Sequence, residues 1–360
     1  MVADGLWNGG AERQMALLAS SLPEGWSSAV ASLQDGPYRP VLEGLGVDVQ
    51  LAPRRFRLDA TAALRMWRIA TKTAPDVVHS WGWMSTLAMV PYCRTYGIPL
   101  LVGTIRQGCL PRRRAVIDKL AVRLADAVVA NSRAGLAAYG VAEGDRGRVV
   151  YNGFDHRRLE GLAVAGDARP GLGTTVVMAA RMFPEKDWRT LIAAARVLAR
   201  EAEGWRFVAL GSGPDRAALM AEAIDLVEAG VVSFPEGGLE VLPVIAGADV
   251  GVLLTSAGMA AEGCSNAIME YMACALPVVC TASGGNPELV EDGVTGAFVP
   301  AGDSGALVEV LRSLRDEPEI AHAMGAAGLR RLQRGFSVQS MVAGFVSAYE
   351  AATTARGRRT

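Results

Sequence analysis

Thr175-Val-Val-Met-Ala179 runs into Arg181-Met-Phe-Pro-Glu-Lys186, and Phe207-Val-Ala-Leu210 runs into Gly211-Ser-Gly-Pro214. Each is a short apolar run, rich in Val, that ends in a polar or glycine-rich turn. Runs of this length bounded by turn signals are the mark of strands buried on both faces of a sheet. Working outward, the same rhythm covers the chain. Strands are predicted at Ser28–Leu33, Val47–Leu51, Asp76–His79, Leu100–Thr104, Ala127–Ala130 and Arg148–Val150. In the second half they are predicted at Val231–Phe234, Val250–Leu254, Val278–Cys280 and Ala297–Val299. Amphipathic helical stretches lie between them, such as Gly10–Leu22 with Met15, Leu18 and Leu22 on one face. Strand–helix alternation means parallel sheets covered by helices on both faces. Two series of similar length predict an α/β protein of two doubly wound, Rossmann-like domains. The break falls in Asp155–Gly173, where periodicity fails and Gly, Pro and charged residues collect. Ligands of open α/β sheets bind outside the carboxyl ends of the strands, so two such domains facing one another would share a site in a cleft.

Composition narrows the class. Of 360 residues 51% are hydrophobic and 20% charged, which suits packed domains rather than a disordered chain. No run of eighteen apolar residues lacks charge, and Met1–Gly10 has neither the basic region nor the apolar core of a secretory signal. Five cysteines stand apart without a Cys-x-x-Cys pair and the three histidines are scattered, which argues against a zinc site or a disulfide framework. A reduced, cytoplasmic setting is expected. The net charge of −1 hides an asymmetry, because Lys and Arg exceed Asp and Glu through Glu160 and fall short of them afterwards. A basic first half, with Arg112-Arg-Arg114, Lys119 and Arg123 close together, would suit peripheral contact with an anionic membrane face; a solvated helix face is the plainer reading. Nothing points to nucleic acid.

The segment with most chemistry is Glu262-Gly-Cys-Ser-Asn-Ala-Ile-Met-Glu270. Ser265 is a good N-cap, which predicts a helix from Asn266 to about Ala275, stopped by Pro277. Glu262 then lies on the loop before the helix and Glu270 just past its first turn. The amides contributed by Gly263, Cys264, Ser265 and Asn266 sit between them at a positive helix end, a place for pyrophosphate or sugar oxygens. Carboxylates on either side can grip the hydroxyls of a sugar and of a ribose. Arg181 and Lys186, at the carboxyl end of the first strand of the second half, suit a diphosphate. Gly211-Ser-Gly-Pro214 is an incomplete dinucleotide fingerprint, with Arg216 where a third Gly belongs, and is read as a turn lining a nucleotide pocket. Ser283-Gly-Gly-Asn-Pro-Glu288 offers close backbone approach, and Gly9-Gly10-Ala-Glu-Arg13 opens the first helix. Trp81 and Trp83 could stack on an acceptor or pack in a core, while His79 and His156 read as local hydrogen-bonders.

Taken in order, these motifs resemble the retaining glycosyltransferases of family 4, which have the two-domain GT-B fold. Gly9–Arg13, Pro75–His79, Ala130–Ser132, Tyr151–Asp155, Arg181–Lys186, Gly211–Pro214, Glu262–Glu270, Gly284–Leu289 and Phe336-Ser337 carry the likeness across nearly the whole chain. The resemblance implies an acceptor-binding domain over 1–158, a nucleotide-sugar domain over 159–337, and a helix over 338–355 that crosses back onto the first domain. It implies that Glu262 binds the donor sugar, Glu270 the ribose, and Arg181 and Lys186 the diphosphate, with Gly10 approaching from the first domain. Two departures stand out. Arg106 occupies a place where many members carry a histidine, which suggests an anionic acceptor or a salt bridge; with Arg106, His79 and Trp81 are the acceptor-side candidates. The strand before the Gly-Gly turn has only Met1-Val-Ala3, so either it is short or the chain starts further upstream.

The expected activity is transfer of a hexose from a UDP- or GDP-sugar to a carbohydrate, lipid-linked or small-molecule acceptor with the α configuration retained. A front-side route is expected, since no carboxylate stands out as a nucleophile, and no metal ligands stand out, so no cofactor or obligatory metal is expected. The alternatives are a sugar-nucleotide epimerase or glycosyl phosphorylase on the same fold, and a non-catalytic sugar-nucleotide-binding protein.

Overall fold

The computed structural model describes residues 1–56, 59–108, 115–144, 146–162, 173–201, 204–259 and 261–357. The chain divides into two units: Met1–Gly153 with Val338–Thr360, and Phe154–Ser337. The change of unit falls at Gly153/Phe154 rather than after Arg158. Phe154 donates its amide to the Phe336 carbonyl at 2.8 Å, and Asp155 caps a short helical turn, His156–Leu159, whose Arg158 pairs with Glu240 and Glu270. The expected break at Asp155–Gly173 lies in part, at 163–172, outside the described residues.

The first unit holds seven parallel strands: β1 (Val2–Ala3), β2 (Ala29–Ser32), β3 (Asp48–Leu51), β4 (Val78–Ser80), β5 (Leu100–Ile105), β6 (Ala127–Ala130) and β7 (Gly147–Val149). Their order is β3-β2-β1-β4-β5-β6-β7, so the winding reverses between β1 and β4. β1 is two residues long, yet it sits in the centre and pairs on both sides. Met1 and Ala3 carbonyls accept from Ala31 and Leu33, and the Val2 carbonyl accepts from Trp81 at 2.8 Å. A central strand this short satisfies its neighbours because the flanking residues extend the ladder. The helix Val338–Gly357 returns to this unit. Met341, Val342, Phe345 and Tyr349 bury their side chains with Leu18, Leu101 and Val129.

In the second unit β8 (Thr174–Ala179), β9 (Trp205–Leu210), β10 (Val232–Ser233), β11 (Val250–Leu253), β12 (Val278–Thr281) and β13 (Gly296–Val299) form a parallel sheet in the order β10-β9-β8-β11-β12-β13. This is the doubly wound order with its switch between β8 and β11. The helix Trp188–Glu201 carries Trp188, Leu191, Ile192, Ala195 and Leu198 on one face, all buried against Phe207 and Val252. That period of three and four is what lets one stripe of a helix cover a sheet. Among the described residues, no helix is long and apolar enough to cross a membrane.

Candidate active site

In the second unit, Lys186 and Glu262 meet where β8 and β11 end. Two loops leave the sheet there and are laced together: Lys186 bridges Thr255, the Asp187 amide donates to Leu254, and the Ser256 amide donates to Glu185. Asp187 then caps the helix Trp188–Glu201, accepting from Thr190 Oγ1 at 2.7 Å and from the Gly302 amide at 3.1 Å. A loop held at so many points presents Lys186 in one place. Its ammonium pairs with Glu262 Oε1, and Thr255 Oγ1 donates to the same oxygen at 2.8 Å. Burial alone pushes the Glu262 carboxyl up. Lys186, Thr255 and the nearby Arg181 charge outweigh it and hold the group below the usual carboxylate range.

Glu262 is fixed from behind by its main chain. Its carbonyl accepts from the Gly285 amide at 2.8 Å, and Gly284, at φ +57°, lies against its backbone. The glycine pair after β12 is therefore spent on Glu262. Ser265 caps the helix Asn266–Ala273 through the Ile268 amide, with Gly263 and Cys264 buried just ahead of it. Tyr271 ties this helix to the sheet at the switch: its hydroxyl accepts from the Ala179 amide at 2.7 Å and donates to the Val252 carbonyl at 3.0 Å. Gly251 makes room for that ring, since a Cβ there would stand 2.3 Å from it.

One residue earlier, Glu270 is 4% exposed, and Arg158 Nη2 donates to its Oε1 at 2.9 Å. Arg181 stacks on Phe183, 4.8 Å from the ring centroid, and reaches Glu185 at 3.1 Å, with much of its side chain in solvent. Thus the structure brings Lys186 and Glu262 into contact, sets Arg181 near enough for its charge to act on Glu262, and places Glu270 on the adjoining helix in a separate ion pair. Gly211 closes a turn along the loop after β8. A Cβ on it would stand 2.0 Å from the Ala180 carbonyl oxygen, so its glycine serves backbone packing.

In the first unit, a cavity of about 300 Å³ opens at the carboxyl ends of β1, β4 and β5, lined by Asp4, Trp7, Glu12, Trp81, Arg106 and Asp118 among others. Gly10 begins the helix Gly10–Ser20 beside it and is exposed. The Arg106 guanidinium carbon lies over the Trp81 ring, 4.2 Å from its centroid, and the side chain donates to the Gly103 carbonyl and to Asn152 Oδ1, both at 3.0 Å. His79 is not open to an acceptor. It is 2% exposed, with Nδ1 2.8 Å from the Tyr349 hydroxyl and its ring packed on Trp81 and Phe345. Burial and the Arg106 charge drive its pKa well below the usual histidine range. The basic cluster Arg112–Arg114 lies outside the described residues.

Sequence reasoning did not single out Thr255, Arg158 or Glu240. Thr255 follows the end of β11, and a polar residue at that place is a usable signal. For Arg158 and Glu240 no local pattern marks the pairing, because their partners are distant in the chain.

Two family models match: Glycosyltransferase Family 4 over residues 8–158 and Glycosyl transferases group 1 over residues 173–317. With that likeness in both units and a doubly wound sheet in each, the chain belongs to glycosyltransferase family 4. Among curated relatives it is 38% identical over 167 residues to the GDP-mannose-dependent alpha-(1-6)-phosphatidylinositol monomannoside mannosyltransferase of Mycolicibacterium smegmatis. That match covers 44% of this chain and 44% of the relative, so less than half the length of that enzyme is matched. The lipopolysaccharide core biosynthesis glycosyltransferase LpsE of Rhizobium meliloti is 26% identical over 343 residues, covering 93% of this chain and 94% of that one. Among solved structures, Anabaena HepE in complex with UDP superposes with a TM-score of 0.83 at 19% identity, over 97% of this chain and 98% of that one, a likeness of fold.

Proposed function

We propose that the chain is a retaining hexosyltransferase that moves a sugar from a UDP- or GDP-sugar to an acceptor hydroxyl in glycan or glycolipid assembly. The observation that supports it most is the meeting of Lys186 and Thr255 on Glu262 where β8 and β11 end, beside a helix whose capped start lies between Glu262 and Glu270. Family membership supports the same reading, and the named relatives include a GDP-mannose-dependent enzyme and a structure bound to UDP.

In this reading Lys186 and Arg181 neutralise the diphosphate as the glycosidic bond breaks, a charge that grows in the transition state and rewards fixed donors. Glu262, whose backbone and side chain are both held, accepts from hydroxyls of the donor sugar, and Glu270 does the same for the ribose. The acceptor hydroxyl attacks from the face the diphosphate leaves, and a departing phosphate oxygen takes its proton. We assign the acceptor to the first-unit cavity, whose lining includes Trp7, Glu12, Trp81 and Arg106. No metal is required in this route, and a chelator should leave the rate unchanged. Peripheral contact with anionic lipid belongs to the same proposal, and flotation with anionic liposomes tests it.

The deciding experiment is a thermal-shift panel of UDP- and GDP-sugars, followed by product analysis with the donor that binds. A donor that raises the melting point and releases its nucleoside diphosphate only with acceptor supports transfer. Binding without release would leave a sugar-nucleotide-binding protein. Sugar phosphate formed from acceptor-linked sugar and inorganic phosphate would make it a phosphorylase.

A further inference from the structure

Glu270 sits on the helix Asn266–Ala273 among Ile268, Met269, Tyr271, Met272 and Ala273, all buried. A carboxylate in such surroundings is costly to bury unless it is paired with good geometry. Its partner, Arg158, lies 112 residues earlier, on the turn His156–Leu159. The guanidinium is itself gripped from the other side: Nη2 reaches Glu240 Oε1 at 2.8 Å and Nε reaches Glu240 Oε2 at 3.1 Å. Glu240 is anchored in turn, because its Oε1 accepts from the amides of Val241 at 2.9 Å and Leu242 at 3.0 Å. The Arg158 fork also lies 5.5 Å from the Phe154 ring centroid. Backbone, Glu240, Arg158 and Glu270 thus form a chain of directional contacts.

We infer that Arg158, held by Glu240, is the positioning residue that sets the Glu270 carboxylate for the ribose hydroxyls of the donor. This rests on the donor reading of the second unit. A planar fork suits the task, since it fixes the direction of each bond as well as its length. A lysine supplies one point charge and cannot hold both carboxylates in register. A carboxylate that reads hydroxyls loses discrimination when its own orientation loosens, because preference for the analogue bearing the hydroxyl depends on an acceptor held in fixed geometry.

The test uses calorimetric titration of the full chain with UDP and GDP and with the matching nucleotides lacking one ribose hydroxyl. The native protein should prefer the ribonucleotide. Arg158→Met should weaken ribonucleotide binding by about tenfold or more and remove most of the preference over the deoxy form. Arg158→Lys should recover only part of both. A folded Arg158→Met protein with native affinity and native preference overturns the inference. If that variant does not fold, Glu240→Gln carries the test. Its side chain is about half exposed, and an unchanged preference in it overturns the inference equally. If the native protein binds neither nucleotide, the donor reading and this inference fall together. If it binds without any preference for ribose, only the inference falls.

Discussion

Gly284 lies so close to Glu262 that a Cβ on it would stand 2.2 Å from the Glu262 carbonyl oxygen. The glycine also holds φ at +57°, a conformation that costs an L-residue about 1–2 kcal/mol. Gly284→Ala should therefore lower the melting point and, by displacing the Glu262 loop, also weaken donor binding. Gly293 is the natural control, at φ +71° with open space around it. Gly293→Ala should lower the melting point and leave the donor affinity alone. Equal donor affinities in the two variants would show that the contact is not transmitted to the site.

Lys186→Met removes the cation from a nearly buried pair. A rate loss of about a hundredfold is expected from the missing donor at the diphosphate. There is also a pH signature. In the native protein the Glu262 pKa is held below its unfolded value, so its contribution to stability is full above the ordinary carboxylate range and lost as pH falls through the lower folded value. Without Lys186 the strongest opposing influence on burial is gone, so the folded pKa rises and the contribution shrinks. The melting-point gap between native protein and variant should widen from about pH 4 to about pH 7. A constant gap would mean that Lys186 does not control this carboxylate.

His79 should make the first unit sensitive to mild acid. Its folded pKa lies below its unfolded one, so the stability it permits is full above about pH 6.5 and is lost as pH falls below that. His79→Gln should flatten this part of the melting-point profile. Tyr349→Phe, which removes the 2.8 Å contact to Nδ1, should cost about 1 kcal/mol at neutral pH.

Gln14 is 1% exposed and clasps Gly153, donating to its carbonyl at 3.1 Å and accepting from its amide at 2.9 Å. Gln14→Ala strands both backbone groups and should destabilise the protein by about 1–3 kcal/mol in denaturant titration. Gln14→Glu, which sets a buried carboxylate against the Gly153 carbonyl, should cost at least as much at neutral pH.

Cys93, Cys264, Cys274 and Cys280 are buried thiols, and burial pushes Cys274 up to about 12. Alkylation followed by peptide mass mapping should find these four unmodified in the native protein and modified in denaturant. Rapid native labelling of Cys264 would show that the loop before the helix Asn266–Ala273 opens in solution.

Much of this was legible in the residues. The strand positions and the Ser265 cap are local signals, since apolar runs and capping hydroxyls act within a few residues. Lys186 was marked by its place after a strand end, and Glu262 by its place on the loop before the Ser265 cap. Their direct pairing was not, nor was the Arg158 bridge, because contacts between residues 76 and 112 positions apart leave no periodic trace. His79, read both as a hydrogen-bonder and as an acceptor-side candidate, has its partner Tyr349 270 residues away on the helix Val338–Gly357, which covers it with Phe345, and no local pattern marks that cover. Gly211 belongs to the turn expected after its strand, and Gly284 to the pair expected to allow close backbone approach; in both the near neighbour is the protein's own backbone, a contact the residue type does not specify.

The first unit is assembled from two separated stretches of chain, with the whole of the second unit encoded between them. On the ribosome, Phe154–Ser337 emerges before the helix that closes the first unit, so Leu101 and Val129 must wait with their apolar surface uncovered. A premature stop at Val338 would then leave a finished second unit attached to a sticky, half-covered sheet, and such a truncation should aggregate rather than lose only its tail.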